Sequence, residues 1–164
     1  MPGSGKSTIG DLLAKRLSYG FVDSDKLIQE IEGCSLQHII DKRGYEVLCT
    51  IEENVLCNLK DQKHVIATGG SAVYSRRAMG SLKQKGILVF LDVDLPKLKE
   101  RLDDYENRGI VKRPGQNLED LYNDRYPLYR KYADMTITCT DMTQKEILDE
   151  IIASIAKKTD KLKN

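Results

Sequence analysis

The run Gly3-Ser-Gly-Lys-Ser-Thr8 sets small residues ahead of a lysine and two hydroxyls, a combination suited to holding an anion. Backbone N–H groups of a glycine-rich turn can wrap phosphate oxygens, and a lysine at a helix start adds positive charge where the helix dipole already favours an anion. Gly5, Lys6 and Ser7 fit the phosphate-loop pattern G-x-x-x-x-G-K-[ST], whose first glycine would fall one position before Met1. The buried strand that launches such a loop is therefore not expected among these residues. A glycine- and serine-rich string is also common at flexible termini. The continuation speaks for a loop: Ile9, Leu12, Leu13 and Leu17 keep helical apolar spacing directly after the lysine, with Asp11, Lys15 and Arg16 on the other side.

Two further places join charge or glycine to a strand end. Phe21-Val-Asp23 reads as a short buried strand bounded by Gly20, which puts Asp23 and Asp25 at its C-terminal edge. Either carboxylate can cap the helix that follows or serve a ligand. Gly69-Gly70 close the apolar run from His64 to Thr68, where a side chain would block a ligand from the backbone; a plain turn uses the same residues.

The elements that must position these groups follow from periodicity. Strands are predicted at about 21–23, 64–68, 87–91 and 135–139. Helices are predicted at about 24–32, 35–42, 44–60, 75–85, 96–104, 118–132 and 143–156, the third with Val47, Ile51, Val55 and Leu59 on one face. Continuous apolar strands suit burial on both faces, and their alternation with helices points to a parallel sheet. The launching strand would fill a slot between the second and third of these. The polar stretch at about 105–117 lacks a core face and reads as a flap.

Composition narrows the classes. The 164 residues suit one domain, and 40% hydrophobic with 31% charged residues is the balance of a water-soluble globular chain. No run of 18 apolar residues and no apolar leader segment occur, which points to the cytoplasm rather than to a membrane or to secretion. A net charge of +1 without a basic stripe gives nucleic acid little to hold. Cys34, Cys49, Cys57 and Cys139 have no C-x-x-C pairing and read as reduced packing residues, with no metal and no disulfide assigned. Lys157 to Lys163 reads as a solvated tail.

In order, the phosphate loop, Asp23-Ser-Asp25, Gly69-Gly70, the stretch around Arg113-Pro114, and Arg125-Tyr-Pro-Leu-Tyr-Arg130 followed by Tyr132-Ala-Asp134 resemble the shikimate kinases over almost the whole chain. The loop alone is shared with many ATPases and GTPases; the combination is specific. The resemblance implies a three-layer α/β phosphate-loop kinase fold with a parallel sheet in the family order 2-3-1-4-5, its first, central strand absent here. It implies one kinase domain over 1–164, with substrate-binding helices at about 24–60. The activity implied is ATP- and Mg²⁺-dependent phosphorylation of a small hydroxylated metabolite, shikimate to shikimate 3-phosphate, in aromatic amino acid biosynthesis, by a cytoplasmic monomer.

Phosphoryl transfer asks a protein mainly for positioning and charge neutralisation. Gly3, Ser4 and Gly5 would cradle the phosphates, Lys6 neutralise the β and γ groups, Ser7 reach Mg²⁺ and Thr8 support the α-phosphate. The resemblance gives Asp25 the acceptor hydroxyl and its proton. It gives Asp23 the hydration shell of Mg²⁺, a cation that keeps several waters. Gly69 and Gly70 would admit the acceptor, and Arg130 would hold its carboxylate. Arg113 would reach the transferring group on flap closure, with Arg108 and Lys112 as alternates. Arg101 would lie over adenine or remain an exposed helix residue.

Three departures from the family pattern stand out. Ser71 replaces a third glycine, and Arg113-Pro-Gly-Gln116 replaces the usual Arg-Pro-Leu-Leu. Cys49, in Gly44-Tyr-Glu-Val-Leu-Cys49, stands where the family carries an arginine that pairs with the later one on the substrate carboxylate. Losing one partner of a desolvated charge pair costs about 2 to 5 kcal/mol. Arg76 and Arg77 are candidates to replace it, or are a solvated helix start. Another hydroxy acid or sugar acid therefore stays open as acceptor, as does a nucleotide-binding protein without catalysis, against which Asp25 argues.

Overall fold

Strand alternation accounts for the layering in this computed structural model, which describes residues 1–59, 62–102, 112 and 115–161. Strand β1 (Gly20–Asp23) runs parallel to β2 (His64–Ala67), with Phe21 opposite Val65 and Val22 opposite Ile66. Phe21 closes on Gly10 of α1 (Lys6–Leu17), where a Cβ would sit 2.7 Å from a ring carbon. Val22 and Ile66 point the other way, onto Leu56 of α4 (Tyr45–Asn58) and Ala78, Met79 and Leu82 of α5 (Arg76–Lys85). Period-2 side chains thus bury both faces of the sheet.

The second pair repeats the arrangement. Strand β3 (Val89–Asp92) runs parallel to β4 (Met135–Thr138), Leu91 opposite Ile137. Both join Leu13 of α1 and Ile147 and Ile151 of α8 (Gln144–Lys161) in one apolar cluster. Phe90, on the opposite face, stacks on Tyr129 of α7 (Leu118–Tyr132) with ring centres 5.1 Å apart. The four predicted strands are therefore present as two parallel pairs, and among the described residues no strand joins β2 to β3.

Local chemistry sets most helix ends. Asn117 and Asp120 form a reciprocal capping box at the start of α7, and Thr143 and Glu146 exchange bonds in the same way before α8. Helix α8 continues to Lys161, past the predicted end at 156, because neither glycine nor proline interrupts it. Between β1 and β2, α2 (Ser24–Glu32) and α3 (Leu36–Arg43) pack on α4 through Ile28, Ile39 and Leu48, an apolar cluster of their own. The buried stripe of α4 is Leu48, Glu52 and Leu56, not the predicted Val47, Ile51 and Val55, which lie half-buried beside it. A 3₁₀ turn, Ala72–Tyr74, follows Gly69-Gly70 and was not predicted. Helix α6 (Leu95–Arg101) leads toward the predicted flap. Arg108, Arg113 and most of that stretch lie outside the described residues.

Candidate active site

Gly3 and Gly5 have φ of 73° and 85°, the left-handed region that glycine enters without strain, and this bend lets α1 start at Lys6. A Cβ on Gly3 would also meet Leu102 Cγ at 2.9 Å. Ser4 Oγ and Lys6 Nζ both donate to the Met1 carbonyl, at 2.9 and 2.6 Å, so the lysine arches back over the loop. Burial pushes its pKa down, while the nearby Asp25 carboxylate opposes the shift.

Asp23 links the loop to β1. Its Oδ2 accepts from Ser7 Oγ at 2.6 Å, while Oδ1 accepts from the Asp25 and Lys26 N–H groups at 3.0 and 3.3 Å, capping α2. One carboxylate thus serves both as helix cap and as partner of the loop hydroxyl. A helix N-terminus under a glycine loop, with a hydroxyl and a carboxylate beside it, fits nucleotide phosphates and a hydrated Mg²⁺.

The loop opens on a cleft of about 700 Å³ lined by Lys6, Ser7, Thr8, Asp23, Asp25, Gly70 and Arg125, with Leu36 and Gln37 from the α3 side. Ser24 Oγ, fully buried, accepts from the Gly69 N–H at 2.8 Å and ties β1 to the glycine turn. Close contacts leave no room for a side chain there. A Cβ on Gly69 would lie 2.1 Å from Glu52 Oε1 and 2.5 Å from Asp25 Oδ1, and one on Gly70 would lie 2.6 Å from Arg125 Nη1. Burial raises the Asp25 pKa, with Lys6 pulling it back.

The arginines sort differently from the sequence expectation. Arg130 is exposed, its Nη1 donates to the Tyr126 hydroxyl at 3.4 Å, and it does not line the cleft. Arg125, 1% exposed, does. The two residues lie about 140° apart around α7 at 3.6 residues per turn, so only one can face inward. Arg101 Nη1 lies 3.5 Å from the Gly3 carbonyl, against the loop. Arg76 and Arg77 are exposed, Arg77 sits 3.4 Å from Glu53, and neither lines the cleft.

Behind the glycine turn, Cys49 and Glu52 share a second cavity of about 410 Å³ with Tyr45, Glu53, Ser71 and Tyr74. Burial raises the Cys49 thiol pKa. Glu52 is 4% exposed; its Oε2 accepts from Ser71 Oγ at 2.5 Å and its Oε1 has no hydrogen-bond partner. Burial pushes its carboxyl up to about 7, Ser71 pulling against it and Asp25 adding to it.

This raised pKa makes a stability prediction. The folded protein holds the Glu52 proton more tightly than the unfolded chain, so the contribution is complete below the ordinary value of 4.5 and is lost as pH rises through 7. The loss is roughly 3 kcal/mol over that interval. Glu52→Gln, which stays neutral, is expected to gain stability relative to wild type as pH rises from 5 to 8. Denaturant unfolding at several pH values checks this; parallel curves for the two proteins contradict it.

Sequence reasoning gave Ser24 and Arg125 no role beyond their motifs and passed over Glu52. Arg125 and Glu52 were signalled by their places on apolar helical stripes, Leu118-Leu121-Arg125 and Leu48-Glu52-Leu56, where a charge must have a local purpose. Ser24 carried no comparable signal, since a serine between two aspartates is ordinary helix-start chemistry.

A phosphate loop at the head of α1, a carboxylate bonded to its serine, and a second carboxylate and an arginine across the cleft define a small-molecule kinase on a parallel α/β frame. Comparison with known proteins narrows the class. The shikimate kinase family pattern matches residues 2–156. A shikimate kinase from a Synechococcus species is 40% identical over 157 residues, covering 93% of this chain and 81% of that protein. One from a Sulfurihydrogenibium species is 33% identical, covering 95% and 94%. The structure of shikimate kinase from Acinetobacter baumannii in complex with shikimate superposes with a TM-score of 0.86 at 33% identity, covering 95% of this chain and 89% of that one. The Aquifex aeolicus shikimate kinase gives 0.83 at 32% identity, covering 97% and 94%. The chain belongs to the shikimate kinase family.

Proposed function

We propose that this protein transfers the γ-phosphoryl group of ATP to a hydroxyl of shikimate, giving shikimate 3-phosphate, as a cytoplasmic monomer in which residues 1–164 form one kinase domain. The observation that carries the reading is the placement of Asp25 and Arg125 against Gly69 and Gly70, on the same cleft as Lys6. Helices α2 to α4 form one wall for the acceptor, and Arg113, outside the described residues, is assigned to the transferring phosphoryl group. Net charge of +1 leaves no reason to add nucleic acid to the partners.

Bound Mg-ATP supplies the phosphoryl group and a divalent charge. Gly3 to Thr8 would hold its phosphates, Lys6 would neutralise charge on them, and Ser7 with Asp23 would hold the metal. Arg101 flanks the nucleotide end from α6. Asp25 accepts a hydrogen bond from the acceptor hydroxyl and takes its proton as the new O–P bond forms and the bond from the γ-phosphorus to the bridging oxygen breaks, ADP leaving; its burial favours this role by raising its pKa. Arg125 pairs with the acceptor carboxylate.

Asp25→Asn is expected to lower kcat by about 100-fold or more while leaving the ATP dissociation constant within about twofold, since its part is played on the acceptor. Equal weakening of ATP binding would place Asp25 on the nucleotide side and defeat the assignment. A second reading, another hydroxy acid or sugar acid as acceptor, is favoured by one observation. Among the described residues Arg125 is the one arginine lining the cleft, with Cys49 where a second would stand. ADP release with each candidate acceptor in turn separates the two readings.

A further inference from the structure

We propose that Tyr74 is a positioning residue for acceptor recognition, fixing with Asp124 the direction in which the Arg125 guanidinium addresses the cleft; this rests on the reading of Arg125 as the acceptor's cation. Tyr74 ends the 3₁₀ turn that follows Gly69-Gly70, and Asp124 precedes Arg125 on α7. The Tyr74 hydroxyl donates to Asp124 Oδ2 at 2.5 Å and accepts from Arg125 Nε at 3.2 Å. An ionised carboxylate can only accept and a guanidinium can only donate, so the hydroxyl between them has one orientation. Its proton is committed to Asp124 and its lone pair to Arg125.

A guanidinium is planar, so holding Nε fixes the plane in which its two outer nitrogens lie. The Tyr74 ring adds a face contact, with Arg125 Cζ 5.2 Å from its centre. On the other side the Tyr129 hydroxyl donates to the Gly70 carbonyl at 2.8 Å, next to the position that Arg125 Nη1 occupies. The glycine turn and the arginine are thereby held by the same short segment. An arginine already oriented loses less side-chain freedom when an anion binds, which lowers the cost of recognition. Tyr74 itself lines the second cavity and not the cleft, so its effect on the acceptor passes through Arg125.

The test uses the full chain and compares wild type, Tyr74→Phe, and Asp124→Asn, whose side-chain carbonyl can still accept from Tyr74, with Arg125→Lys as a fourth protein for signal assignment. Tyr74→Phe is expected to raise the KM for shikimate about tenfold, the loss of one charge-assisted hydrogen bond. The KM for ATP and kcat should stay within about twofold, and Asp124→Asn should keep the KM for shikimate near the wild-type value. A second readout does not depend on turnover: the ¹H–¹⁵N signal of Arg125 Nε, assigned with Arg125→Lys, is expected to be slow to exchange in wild type and Asp124→Asn and fast in Tyr74→Phe. An unchanged Nε signal in Tyr74→Phe overturns the inference, as does an equal rise in both KM values. If wild type does not phosphorylate shikimate, the proposed function fails, and the Nε comparison still decides whether Tyr74 holds the arginine.

Discussion

Replacing Lys6 by alanine is expected to lower kcat by about 100-fold or more, the usual loss when one preorganised electrostatic group is removed from a charge-developing transition state. The ammonium already lies over the loop, 2.6 Å from the Met1 carbonyl; burial pushes its pKa down, and the Asp25 carboxylate opposes that shift. Phosphates entering the loop would meet a cation that needs only a short swing to reach them. The charge is worth more there than in solvent, since the effective dielectric is lower. Steady-state kinetics at saturating ATP and acceptor measure the effect, with a melting temperature to show that the variant is folded. A kcat within tenfold of wild type would mean that Lys6 is not the neutralising group.

Arg125→Ala is expected to raise the KM for shikimate by roughly 30-fold to several thousandfold, whereas Arg130→Ala should stay within about twofold. The range corresponds to about 2 to 5 kcal/mol for truncating one partner of a buried, hydrogen-bonded charge pair. Arg125 is buried among Tyr74, Tyr129 and Gly70, so alanine also leaves a hole there. Arg125→Lys keeps the charge and most of the volume but loses the planar fork; it should fall between wild type and alanine. A larger effect at Arg130 than at Arg125 would return the carboxylate to the exposed end of α7.

Which arginine of α7 lines the cleft is a matter of helical phase. The Leu-Tyr-Arg string draws attention to Arg130, but Leu118, Leu121 and Arg125 fall at i, i+3 and i+7, the inward stripe of α7. Glu52 was hidden in the same way, because the α4 stripe was assigned one residue out of phase, to Val47, Ile51 and Val55, and a glutamate on the true stripe went unremarked. The loop, Asp23, Asp25 and the glycine pair were legible because each depends on short-range chemistry: left-handed glycines, a strand-end carboxylate, a helix N-cap. The strands were legible from apolar runs, and most helix ends from caps. The 3₁₀ turn at Ala72–Tyr74 was not, since its purpose, presenting Tyr74 to a residue on α7, is set across 51 positions of sequence.

The most direct measurement is ³¹P NMR of purified protein incubated with Mg-ATP and shikimate, with Asp25→Asn in parallel. Conversion of the ATP γ-phosphorus signal into a phosphomonoester on shikimate, with turnover at least about 100-fold slower in Asp25→Asn, is the predicted result. Intact ATP binding with no phosphomonoester from wild type would contradict the assignment of shikimate as the acceptor.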